Sequence, residues 1–140
     1  MRKQKISLIV TAVLQLLTAA FHSLTFLSRL TPLNDTEKQM LDLFYSYRND
    51  MGMGFHPTLA NLYTAFSISF ELLLIFAGAL SIVLIRNLAQ GAIVKTIMGL
   101  QAFIFGVCFI AVLSLTFIIP VVCVGLVFIS CATSWLLLKK

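Results

Sequence analysis

Residues 96–138 read TIMGLQAFIFGVCFIAVLSLTFIIPVVCVGLVFISCATSWLLL, 43 consecutive positions without a charge. A hydrocarbon core about 30 Å thick takes roughly 20 apolar helical residues, so this run holds two spans. Pro120 divides it, because proline lacks the N–H that a helix interior needs and suits the first turn of a new helix. Working outward, residues 57–85 contain one charge, Glu71, and residues 6–28 contain none. The expected spans are 6–27, 57–85, 96–119 and 120–138. The fold class is all-α: a four-transmembrane-helix bundle, one integral membrane domain over residues 1–140.

Composition agrees. Hydrophobic residues make up 60% of the 140, charged ones 11%, and the mean hydropathy is +1.02. A soluble domain carries roughly 45–50% apolar and about 25% charged residues, so that class is excluded. The net charge of +5 is not a nucleic-acid patch, because the basic residues gather beside the spans. With four spans, the N-terminus, the 86–95 turn and the C-terminus share one side. That side carries Arg2, Lys3, Lys5, Arg86, Lys95, Lys139 and Lys140, seven of the ten basic residues. The other has Arg29, Lys38 and Arg48 among Asp35, Glu37, Asp42 and Asp50. The positive-inside rule then puts both termini in the cytoplasm of a cell inner membrane. The opening Met-Arg-Lys-Gln-Lys also suits a signal peptide, with Thr18-Ala19-Ala20 before a cleavage point. The apolar pattern continues through Phe21, Leu24 and Phe26, so an uncleaved first helix is expected.

The polar segment from Ser28 to His56 should hold a short amphipathic helix on the outer surface. Asn34 or Asp35 can cap it, and Glu37 suits its first turn. Met40, Leu43, Phe44 and Tyr47 recur at helical spacing, opposite Lys38, Asp42 and Asn49. Gly52 and Gly54 supply a hinge in the connection that follows.

Catalytic vocabulary is short. There is no Gly-rich phosphate loop, no H-E-x-x-H and no G-x-S-x-G. Cys108, Cys123 and Cys131 form no C-x-x-C pair and read as reduced, helix-packing thiols. No cofactor and no metal is expected, since two histidines fall short of the three or four ligands a metal site wants.

The polar residues inside the spans are the candidates. Thr11, Gln15, Thr18 and His22 step by four, three and four, which makes one stripe on the first helix. Lipid offers a glutamine or an imidazole no partner, so the stripe should face protein. Glu71 sits about 21 Å from either end of its span at 1.5 Å per residue, with Thr64 and Ser67 near its face. Acidic residues at that depth usually face a bundle interior. The expectation is a neutral carboxyl donating to Gln15, Gln101 or a backbone carbonyl. Span counting places His22 and His56 in the same outer layer, and Pro57 biases His56 toward a cap position. Both are expected to face the protein interior, near one another. Ala102-x-x-x-Gly106 and Gly125 should let the last two helices approach closely, and Trp135 beside Lys139 and Lys140 should anchor at the interface.

His22 closing the first helix, a polar outer segment, and Gly52-Met53-Gly54-Phe55-His56 opening the second resemble small four-helix bacterial membrane proteins of uncharacterised function. The resemblance covers most of the chain as a pattern and implies no activity.

Two functions fit. The first is a non-enzymatic accessory subunit or binder of lipid or another small apolar ligand, with membrane lipid and other membrane-protein subunits as partners. The second is a membrane enzyme or proton-coupled transporter using Glu71 with His22 and His56.

Overall fold

The computed structural model describes residues 2–27 and 31–138. Ser28, Arg29, Leu30, Lys139 and Lys140 therefore lie outside the described residues, and with them part of the charge pattern and the C-terminal anchor. Among the described residues there are five α-helices: α1 (Arg2–Ser23), α2 (Asp35–Ser46), α3 (Leu59–Arg86), α4 (Gly91–Leu115) and α5 (Ile118–Leu137). A 3-10 turn, Leu24–Leu27, extends α1. Four helical stretches are long and apolar enough to cross a membrane: Arg2–Phe26, Leu59–Arg86, Gly91–Leu115 and Ile118–Leu137. The all-α bundle with a short amphipathic helix after the first span is as the sequence implies.

The distribution of side chains explains the composition. Phe66, Phe76, Phe103, Ile110 and Leu136 are exposed, while Gln15, Thr11, Ser81 and Ser134 are buried. Apolar surroundings would solvate the first set, and only other protein groups can satisfy the second.

The chain packs as two compact units. One comprises residues up to Phe21 and from Leu73 onward, the other His22–Leu72. In the first unit, α4 and α5 form an antiparallel hairpin joined by Thr116 and Phe117 alone. The break thus falls before Ile118, two residues earlier than Pro120 suggests. Proline occupies the third position of α5, where a missing N–H is still harmless because first-turn donors lack intrahelical acceptors. Thr116 closes α4 instead, its amide and its Oγ1 both donating to Val112 O.

Glycines seat aromatic rings across that hairpin. A Cβ on Gly125 would come within 2.9 Å of the Phe109 ring, and one on Gly106 within 3.1 Å of Phe128. The two rings stack at 6.0 Å. The expected glycine contacts are therefore holes for phenylalanine knobs. Gly99 receives the Trp135 indole, and Gly78 of α3 receives Leu16 of α1.

In the second unit, Asn34 caps α2. Its Oδ1 accepts the Glu37 amide, and Glu37 Oε2 accepts the Leu33 amide in return. Leu41 and Phe44 turn toward the protein, with Phe44 against Tyr63 of α3 at 6.1 Å. Met40, Leu43 and Tyr47 stay exposed, so the apolar face is shared between protein and surroundings. A short hairpin follows, with an Arg48–Thr58 bridge and the Met51 amide donating to Phe55 O. Gly52, Met53 and Gly54 at its tip all have left-handed φ, at 76°, 54° and 81°. The hinge read from the glycines is an ordered turn.

Candidate functional site

Four helices of the first unit meet at Gln15, which is 0% exposed. Its Nε2 donates to Gln101 Oε1 of α4 at 2.7 Å and reaches Cys131 Sγ of α5 at 3.6 Å. Ser81 Oγ of α3 donates to Gln15 Oε1 at 2.9 Å. A primary amide carries a donor and an acceptor side by side, so two of them pair directly and still accept a hydroxyl. Gln101 Nε2 has no partner among the described residues. Exchanging oxygen and nitrogen on both amides preserves the pairing and leaves the same corner of Gln101 unmatched.

One turn away along α1 the polar contacts continue. Thr11 Oγ1 shares a hydrogen bond with Ser134 Oγ at 2.9 Å and donates to Ser7 O. Ser7 Oγ meets the same Ser134 at 2.6 Å. Gln4 Nε2 donates to Leu137 O at 3.1 Å. These contacts run 4 with 137, then 7 and 11 with 134, so α1 and α5 are antiparallel and the start of one lies beside the end of the other. Sequence reasoning selected Thr11, Gln15 and Gln101 but missed Ser7, Ser81 and Ser134. A helical hydroxyl can bond its own i−4 carbonyl, as Thr64, Ser69 and Ser114 do here, so spacing does not reveal which serines face a partner.

Glu71 and the histidines belong to the second unit. Ser23 Oγ donates to Glu71 Oε1. The expected partners Gln15 and Gln101 belong to the first unit and pair with each other, and the carboxyl accepts a hydroxyl from the end of α1. Glu71 is half-buried, Ser67 is buried, and Thr64 is exposed with its hydroxyl on Ala60 O. His22 stands edge-on between Phe26 at 6.0 Å and Phe70 at 5.5 Å. Its Nε2 is buried without a hydrogen-bond partner among the described residues. Thr18 is half-buried.

His56 departs from expectation. Its side chain is 51% exposed, with Nδ1 3.8 Å from Asp50 Oδ1. Residues 50 and 56 face each other across the hairpin, because the bridge at 48 and 58 fixes the alternation. It does not face inward, nor does it cap α3. Thr58 is the cap: its Oγ1 accepts the Asn61 amide, while Asn61 Oδ1 accepts the Thr58 amide at 3.0 Å. Met51 and Phe55 project from the opposite face of the hairpin, and Met53 at the tip is 98% exposed.

Among the described residues no group of three His, Cys, Asp or Glu could hold a metal ion. A groove of about 470 Å³ runs along α1 and α5. Ile6, Val10 and Leu14 form one wall, Leu126 and Ile129 the other, and Lys3 stands at one end. No protein-family model, no curated protein and no solved structure matches this chain.

Proposed function

We propose that this chain is a non-enzymatic multi-pass protein of the inner membrane, with both termini cytoplasmic, that holds a membrane lipid as an apolar ligand. The lipid would serve the chain itself or a membrane-protein partner to which the chain is an accessory subunit. The supporting observation is a division of labour: the buried amides and hydroxyls engage one another, while the groove along α1 and α5 is walled by Ile6, Val10, Leu14, Leu126 and Ile129. An acyl chain fits such walls without stranding polar groups.

The test is retained lipid. Protein purified in mild detergent and washed free of bulk lipid should keep about one phospholipid per chain, measured by extraction and phosphorus assay, given the apolar lining. Protein that keeps none overturns the reading. Orientation is tested in a background lacking the three cysteines. An impermeant maleimide added outside should label a cysteine at Asp42 and miss one at Ala89, and the reverse would invert the topology.

A second reading, proton-coupled transport or catalysis, draws on Glu71 and on His22, whose Nε2 has no hydrogen-bond partner among the described residues. Proton flux in proteoliposomes that Glu71→Gln abolishes would favour it.

A further inference from the structure

We infer that the α1–α5 groove selects an anionic phospholipid, seating one acyl chain between the helices and its phosphate at Lys3. The inference rests on the lipid-binding reading above and adds the ligand's class and its leaflet.

Length is the first argument. The groove extends from Lys3 and Leu137 at one end to Leu14 and Leu126 at the other. Eleven residues on each helix rise about 16 Å. Half of a hydrocarbon core about 30 Å thick is about 15 Å. The groove therefore has the depth of one leaflet, and its Leu14–Leu126 end falls near the midplane where an acyl chain ends.

Lining chemistry is the second. Beyond the exposed Thr133, the hydroxyls that border the groove are already committed, Ser7 Oγ to Ser134 and Ser130 Oγ to Val127 O at 2.8 Å. A hydrocarbon occupant leaves neither of them unsatisfied. A polar occupant would have to compete with these bonds.

Charge is the third. Lys3 is exposed at the mouth, and its ammonium can reach headgroup depth while its stem covers apolar surface. Lys5 is also exposed but does not line the groove, being about 200° away around α1. The two lysines thus separate a local contact from general attraction to an anionic surface.

Full-length protein in micelles, offered an equimolar mixture of dioleoyl phosphatidylglycerol and dioleoyl phosphatidylcholine, tests this by native mass spectrometry. Wild type should prefer phosphatidylglycerol by about fivefold, the scale of one lysine at an anionic surface. Lys3→Gln should bring the two lipids to parity, and Lys5→Gln should leave the preference intact. Ile129→Trp and Val10→Trp, from opposite walls, should each remove both lipids, whereas Ile110→Trp on the exposed face of α4 should not. Helical circular dichroism identifies any variant that fails to fold, and the two lysine variants carry the test if both tryptophans do. Equal effects of Lys3→Gln and Lys5→Gln, or lipid retained by a folded groove-filling variant, overturn the inference. Phosphatidylcholine held as well as phosphatidylglycerol defeats the selectivity and leaves the lipid-binding reading standing. Loss of both lipids from wild type ends both.

Discussion

The junction at Gln15 and the surroundings of Glu71 both put polar side chains on apolar helices, yet they are built differently. At Gln15 an amide meets an amide, and Ser81 adds a third helix to the contact. Around Glu71 one hydroxyl, from Ser23, meets the carboxyl, and the nearby histidine has aromatic edges for neighbours. Groups that both donate and accept can close a network among themselves. A carboxyl or an imidazole needs a complementary partner for each state it adopts, and fewer are supplied here. The first arrangement should therefore bind helices together, while the second should tolerate substitution.

Removing the amide at the junction should have the largest effect. Gln15→Leu removes the shorter bonds of Gln101 Oε1 and the Ser81 hydroxyl and leaves them their own contact at 3.4 Å, a loss of about 1–3 kcal/mol. Reversible unfolding in mixed micelles would measure it, and a change below the error of that assay would break the contrast. Glu71→Leu should cost less, about 0.6 kcal/mol, the usual size of one interhelical hydrogen bond in a membrane. Glu71→Gln should be nearly neutral, since Ser23 can donate to an amide oxygen as well. An equal loss for the two Glu71 variants would mean that the charge, not the hydrogen bond, matters.

His22→Leu should leave stability unchanged or slightly higher, because the imidazole Nε2 it removes has no partner among the described residues. A clear destabilisation would identify a hidden role for the ring. His56→Asn should likewise change stability little. Its contact with Asp50 is 3.8 Å long and exposed, and such pairs contribute about 0–1 kcal/mol. A large loss there would place the hairpin, and not the junction, at the centre of stability.

Legibility in the sequence followed the same division. Charge-poor runs display the spans, because hydrocarbon disfavours charges, and Gln15 and Gln101 stand out because amides are rare in such runs. Ser81 and Ser134 do not, since a serine that bonds its own helix and one that reaches across are identical in sequence. The Glu71 partner was misread for a related reason: polar atoms at matching depth are interchangeable until packing decides which pairs form. His56 was misread because Pro57 marks a helix start to within a residue or two, and Thr58 with Asn61 makes the better cap.

Because only Thr116 and Phe117 separate α4 from α5, a chain inserting into a bilayer would carry the two helices in as a pair. No charge between residues 96 and 138 would stall the pair during translocation. At the exposed leading bend the hydroxyls are met, Ser114 Oγ by Ile110 O and Thr116 Oγ1 by Val112 O, while Phe117 gives the first amides of α5 no side-chain cap. Its passage through hydrocarbon would therefore leave backbone groups at the two helix ends, and not side chains, as the unmet polar groups. The phenylalanines seated on Gly106 and Gly125 can lock the two helices before either meets α1. Biogenesis would then deliver the C-terminal third of the chain as a prefabricated hairpin, onto which the first helix closes by way of Gln15.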